Sequence, residues 1–214
     1  RGKTAGLDKP GEVNVETGAV SDPVWRASQH VPAWGSRKIL SYNGASGIEF
    51  EFNNISEAQE TLLANRGHDP AQLVDFIRGD TSNNVSNGGP FRVRTQPIGD
   101  IIHSAPTYYK GMIYIGANDG MLHAINASDG HEVFCYVPGL VYDHLSDLAV
   151  PGYSHKYYVD GSAAVGDVDG SDILVCGLGK GGKGYFALDV TDPVAMSGDD
   201  VLWEYPSGTD NDMG

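Results

Sequence analysis

The sequence predicts a mainly β fold: a partial β-propeller of two four-stranded antiparallel blades, preceded by two short α-helices and an irregular N-terminal arm. Three observations predict it. The 214 residues include 29 glycines, 11 prolines and 11 tyrosines without a long helical pattern, a composition that suits short strands and turns. From residue 91 onward, short apolar runs alternate with tight-turn dipeptides. The pattern then recurs, with Ala124 and Ala187 at equivalent positions 63 residues apart. A lone four-stranded sheet cannot bury both faces, so repeats of this kind stack about an axis.

Residues 1–55 read as an extended arm with short strands. Residues 1–24 are polar and Gly-rich, without periodicity. Trp25 and Trp34 flank a Pro-containing connection, and "SRKILSYNG" and "GIEFEFNN" follow as two short strands about a turn. In the second, Ile48, Phe50 and Phe52 alternate with Glu49 and Glu51, the period of a half-buried strand.

Residues 56–98 read as a two-helix lead-in and a polar loop. Ser56 with Gln59 forms a capping box ahead of Leu62 and Leu63. Asp69 caps the second helix, Pro70 takes its first position and Gly79 ends it. Leu73, Phe76 and Ile77 give that helix an apolar stripe. "GDTSNNVSNGGP" is expected to be a mobile polar loop.

Residues 99–138 supply the first blade as "SAPTYY", "MIYIGA", "MLHAIN" and "EVFCYV", joined by Lys-Gly, Asn-Asp-Gly and Asp-Gly turns. A loop at 139–156 connects it to the second blade, residues 157–206, with strands in "YYVDGSAAVGDV", "DILVCGLG", "GYFALDV" and "VLWEYP". Residues 207–214, "SGTDNDMG", are expected to begin a truncated next blade. Arg1 is not a natural start, so the sequence reads as a processed product or a piece of a longer polypeptide.

Charge narrows the function classes. Fourteen basic against 28 acidic residues leave a net charge of −14, and a chain that acidic repels nucleic acid unless a local basic patch overrides the field. No run of 18 apolar residues occurs, so no membrane-spanning segment is expected. Cys135 and Cys176 leave a single bridge and two buried thiols both open.

"GLGKGGKG" at 177–184 satisfies the G-x-G-x-x-G spacing of a dinucleotide loop through Gly177, Gly179 and Gly182. Its context is wrong, because a pyrophosphate loop must open a helix and "GYFALDV" is a strand. The stretch is expected to be a protruding hairpin tip whose Lys180 and Lys183 contact an acidic partner. "GDVDGSD" offers Asp167, Asp169 and Asp172 as a calcium candidate, against an Asp-Gly turn whose carboxylates cap the backbone. Asp210 and Asp212 form a weaker pair. The loop from Gly139 to Tyr158, with Tyr142 and Tyr153, suits either partner recognition or covering of the core.

The histidines, among them His103, His123, His144 and His155, show no helical metal spacing. Neither cysteine lies in a Cys-x-x-Cys pair. No G-x-S-x-G elbow occurs, and no catalytic residue is expected.

"LVDFIRGD", "FRVRTQPIGDIIHSAP", "YIGANDGMLHAINASDGHEVFCYVPG", "YSHKYYVDGSAAVGDV", "CGLGKGGKGYFALDVTDP" and "VLWEYPSGTDNDMG" together resemble the propeller of type IV pilus tip-associated adhesins of the PilC/PilY type. The resemblance covers about residues 56–214. It implies an exported, non-enzymatic protein at the pilus tip or cell surface that aids pilus assembly and adhesion. Its partners would be minor pilins or the tip complex, with a host or surface receptor met through regions outside this chain. The family's D-x-D-x-D-G calcium loop is not matched here, so no cofactor is assigned.

The repeats also resemble quinoprotein propellers, in which an Ala-x-Asp…Gly…Trp pattern docks one blade on the next. Ala187, Asp189 and Trp203 fit that pattern, and Ala124, Asn126, Gly130 and Phe134 fit it less well. Trp203 and Phe134 are therefore the expected blade-packing residues. The adjacent Cys-Cys pair of many such enzymes is missing. The rival readings are an exported quinone-dependent oxidoreductase and a periplasmic scaffold for outer-membrane assembly.

Overall fold

The computed structural model describes residues 7–9 and 23–206. The expected start of a further blade at 207–214, the Asp210/Asp212 pair and most of the N-terminal arm lie outside the described residues. The chain is mainly β with a few short helices.

A two-stranded sheet pairs β1 (Asp8–Lys9) with β2 (Trp25–Arg26). The hairpin β3 (Ile39–Tyr42) and β4 (Gly47–Glu49) follows. β4 is shorter than the alternation suggested: Phe50 leaves the strand yet is fully buried, and Phe52 opens a 3-10 turn.

Helix α1 (Glu57–Leu63) carries the expected capping box between Ser56 and Gln59. In α2 (Pro70–Arg78) the Asp69 side chain accepts the Gln72 amide at 2.9 Å, and Leu73, Phe76 and Ile77 are buried. Gly79 ends the helix at φ +120°, a conformation that favours glycine. The polar loop at 79–90 folds as a hydrogen-bonded turn. Val85 N–H donates to Phe91 O at 2.7 Å and Asn87 Nδ2 to Thr81 O at 2.9 Å, bringing Phe91 into the core.

The first large sheet is built from β5 (Thr107–Tyr109), β6 (Met112–Gly116), β7 (Leu122–Asn126) and β8 (Glu132–Val137), each antiparallel to the next. It has six strands rather than four. β3 pairs in parallel with the outer strand β8, matching Ile39 to Cys135, and brings β4 with it, giving the order β4-β3-β8-β7-β6-β5. Parallel pairing between segments so distant in sequence leaves no turn signal, and the sequence reading missed it.

The second sheet has the four expected antiparallel strands in order: β9 (Ala163–Val168), β10 (Ser171–Gly177), β11 (Tyr185–Asp189) and β12 (Val201–Tyr205). The repeat is visible in the ladders. Ala124 faces Phe134 and Ala187 faces Trp203, and each sheet has a register shift directly after that alanine.

The core lies between the two sheets and under the helices. Tyr136 of β8 packs on Phe186 of β11 with ring centroids 4.8 Å apart. Such fully buried aromatic side chains contribute about 1.5–3 kcal/mol each. The connection at 139–156 forms a 3-10 turn, the short helix α3 (Tyr142–Leu145) and a second 3-10 turn. It buries Tyr142, Leu145, Leu148 and Ala149 against α1 and α2. It therefore covers the core.

Candidate functional site

The glycine stretch lies flat against the protein. A Cβ on Gly181 would sit 1.6 Å from Tyr158 O, and Gly179 adopts φ +59° beside Asp160 and Gly161. These glycines allow the turn to press its backbone onto that of 158–161. The expectation of a protruding tip is thus corrected, while the strand after it stands as β11. Lys180 and Lys183 remain exposed and have no ion-pair partner among the described residues. Lys180 Nζ lies 5.4 Å from the centre of the Tyr157 ring.

Asp167 and Asp172 lie directly opposite one another on β9 and β10, but with Asp169 they do not form a three-ligand cluster among the described residues. Asp172 is buried and takes Lys110 Nζ at 2.8 and 2.9 Å and Tyr109 OH at 2.9 Å, joining the first sheet to the second. The Lys110 hydrogen bond holds its carboxyl below the usual range despite burial. Asp167 and Asp169 stay exposed, and Asp167 accepts the Gly170 amide at 3.4 Å, as an Asp-Gly turn does. Asp169 and Gly170 both adopt positive φ in this turn, +53° and +94°.

Two further expectations change. Tyr142 cannot meet a partner, because it is fully buried with its hydroxyl 3.0 Å from Ser41 Oγ. Tyr153 is half-buried under the Arg92 guanidinium, 4.4 Å from its ring, and takes the Lys156 amide at 3.0 Å.

The strongest electrostatic feature escaped the sequence reading. Directly opposite residues His123 and Cys135 point to one face of the first sheet, with Glu132 beside them. Arg37, just before β3, donates through Nε and Nη2 to the two Glu132 oxygens at 2.7 and 2.9 Å. His123 holds Glu132 at 2.9 Å through Nδ1 and Asp119 at 3.2 Å through Nε2, and Arg94 lies 3.7 Å from Asp119. Burial opposes ionisation of both acids. Arg37 and His123 nevertheless hold Glu132 far below its usual range, and His123 with Arg94 holds Asp119 at about 2. Burial likewise opposes charge on His123, but Cys135 and Asp119 outweigh it and raise the imidazole well above its usual range. A readable signal existed in a histidine flanked by apolar strand residues, four positions after Asp119.

Among the described residues, His123, Glu132 and Cys135 are the one group of three metal-ligating side chains whose ligand atoms lie within 4.8 Å of one another. Arg37 already occupies both Glu132 oxygens and lies 3.4 Å from Cys135 Sγ. A dication would have to displace a buried guanidinium, so the cluster works as an ionic lock between β3 and the sheet. Cys135 and Cys176 are both free, buried thiols.

The expected packing residues have opposite fates. Phe134 is fully buried between the sheets, whereas Trp203 lies on the outward face of the second sheet with Tyr185 and Tyr205. Among the described residues, no helix is long and apolar enough to cross a membrane.

A family profile described as the PilY1 beta-propeller domain matches residues 96–214. A type IV pilus biogenesis factor PilY1 homolog from Xylella fastidiosa (strain Temecula1) is 34% identical over 94% of this chain and 18% of its own length. The type IV pilus biogenesis factor PilY1 of Pseudomonas aeruginosa (strain UCBPP-PA14) is also 34% identical, over 94% of this chain and 21% of its own. The chain thus spans about a fifth of the length of these relatives. The crystal structure of the Pseudomonas aeruginosa PilY1 C-terminal domain shares 39% identity over 44% of this chain and 18% of that one, with a TM-score of 0.31.

Proposed function

This chain belongs to the PilY1 β-propeller family, and from that premise we propose that it is a non-catalytic platform for protein–protein contacts in type IV pilus biogenesis. The platform is an exported part of a pilus-tip or cell-surface protein. It docks to minor pilins and supports an adhesive region elsewhere in the polypeptide.

The observation that carries the reading is the outward face of the second sheet. Tyr185, Trp203 and Tyr205 stand at the repeat positions of Leu122, Phe134 and Tyr136, three residues that the first sheet buries against the second. A further sheet of the same repeat is the occupant that this equivalence implies, so the described sheets are one sector of a larger rigid body. Lys180 and Lys183, on their flattened turn, are surface cations suited to an acidic partner.

The test is made in the full-length protein. Lys180→Glu with Lys183→Glu, two exposed changes, should leave the protein folded and reduce its recovery with minor pilins from sheared filament tips. Unchanged recovery would remove the turn from the partner surface. A full-length protein spread evenly through the periplasm without any pilin contact would overturn the platform reading.

A further inference from the structure

The seam between the two sheets contains a carboxyl group that, among the described residues, has no counter-ion. Glu204 of β12 lies directly opposite Phe186 and points back toward the first sheet. Its Oε1 accepts the Tyr136 hydroxyl at 2.6 Å and the Gly139 amide at 2.7 Å. A Cβ on Gly139 would lie 2.9 Å from Oε2, so glycine lets the 139–141 turn close over the carboxyl. A cleft of about 270 Å³, lined by Tyr42, Ser56, Gln59, Gly139 and Leu140, leads from the surface to this point.

The groups facing Glu204 are few. β8 presents Tyr136, β3 presents Tyr42 at the cleft wall, and α3 presents Tyr142 within electrostatic reach. α1 contributes neutral Ser56 and Gln59, and β11 contributes Phe186. Among the described residues, no lysine, arginine or histidine forms an ion pair with Glu204. Hydrogen-bond donors accommodate either protonation state, but nothing neutralises the anion.

We propose that Glu204 is a proton-operated latch between the two sheets: neutral, it closes the seam as a buried hydrogen-bonded acid; ionised, it draws water through the cleft and loosens the second sheet from the first. Burial, the largest influence, lifts its pKa from 4.5 to about 7 against the lowering effect of Tyr136 and the amides of Gly139 and Leu140. The folded protein therefore holds the proton more tightly than the unfolded chain. The resulting stability is fully present below about pH 4.5 and is lost as pH rises through about 7.

The experiment compares thermal unfolding of the wild type and Glu204→Gln from about pH 4 to about pH 8.5. The wild-type midpoint should fall between about pH 4.5 and 7 and level off above, relative to the variant, whose amide matches the neutral acid in shape and cannot ionise. Superimposable pH profiles, or a wild type that loses stability relative to the variant as pH falls, would overturn the latch. Tyr136→Phe provides a second reading that survives poor folding of the first variant. Losing a donor to the carboxylate should move the wild-type drop to higher pH, and an unmoved drop would assign it to another group. Exchange of the Gly139 amide, corrected for intrinsic base catalysis, should accelerate through the same window in the wild type only.

Discussion

The two sheets repeat one another in sequence and ladder geometry but differ in how their outer strands are satisfied. In the first, Leu122, Phe134 and Tyr136 are each 0% exposed, covered by the second sheet. Their counterparts Tyr185, Trp203 and Tyr205 are 49%, 41% and 40% exposed. Between the two aromatic positions, the first sheet carries Cys135 inside a neutralised charge network, and the second carries Glu204 with no ion-pair partner among the described residues. The first sheet is thus complete within this chain. The second presents a half-exposed aromatic face and, at the seam, a buried carboxyl held by hydrogen-bond donors, so the same repeat positions are covered in one sheet and exposed in the other.

The largest expected effect would break the first sheet's lock. Arg37→Ala leaves Glu132 buried without its guanidinium, and loss of one partner from a buried pair costs about 3–5 kcal/mol. Denaturant unfolding should show that loss; a change under about 1 kcal/mol would mean the network is relieved by water.

A direct contrast between the sheets comes next. Phe134→Ala should cost about 3–5 kcal/mol by opening a cavity. Trp203→Ala in the 214-residue chain should stay within about 1 kcal/mol, because Trp203 is already 41% exposed and its loss opens no enclosed cavity. Equal costs would contradict the asymmetry.

The flattened turn is tested by Gly181→Ala, whose new Cβ would collide with Tyr158 O and should destabilise by about 1–3 kcal/mol. A neutral result would restore the protruding tip. The smallest effect belongs to the lead-in, where Ser56→Ala removes a helix cap worth about 1 kcal/mol and should leave both sheets intact by circular dichroism.

These contrasts also mark what the sequence made legible. Local signals were readable because their physics is local: the Ser56 and Asp69 caps, the Gly79 stop and the hairpins at 111 and 130 each follow from a few adjacent residues. The repeat at Ala124 and Ala187 was readable because backbone bulge and small side chain recur together. What escaped depends on distant partners. β3 joins β8 by backbone pairing across the chain, and Arg37 reaches Glu132 only once that pairing exists. Asp172 looked like a calcium ligand because Lys110, its actual partner, lies in the preceding repeat. Tyr142 looked accessible because its cover, Ser41 and Phe50, comes from the opening hairpin region.

The proposed platform places a further sheet of the same repeat over the exposed face of the second sheet in the full-length protein. Hydroxyl-radical footprinting of the full-length protein measures this directly at Tyr185, with Tyr136 as the buried reference and the urea-unfolded protein as the exposed limit. Tyr185 is expected to be labelled nearly as slowly as Tyr136. Labelling close to the unfolded limit would leave the face open to solvent and contradict that placement.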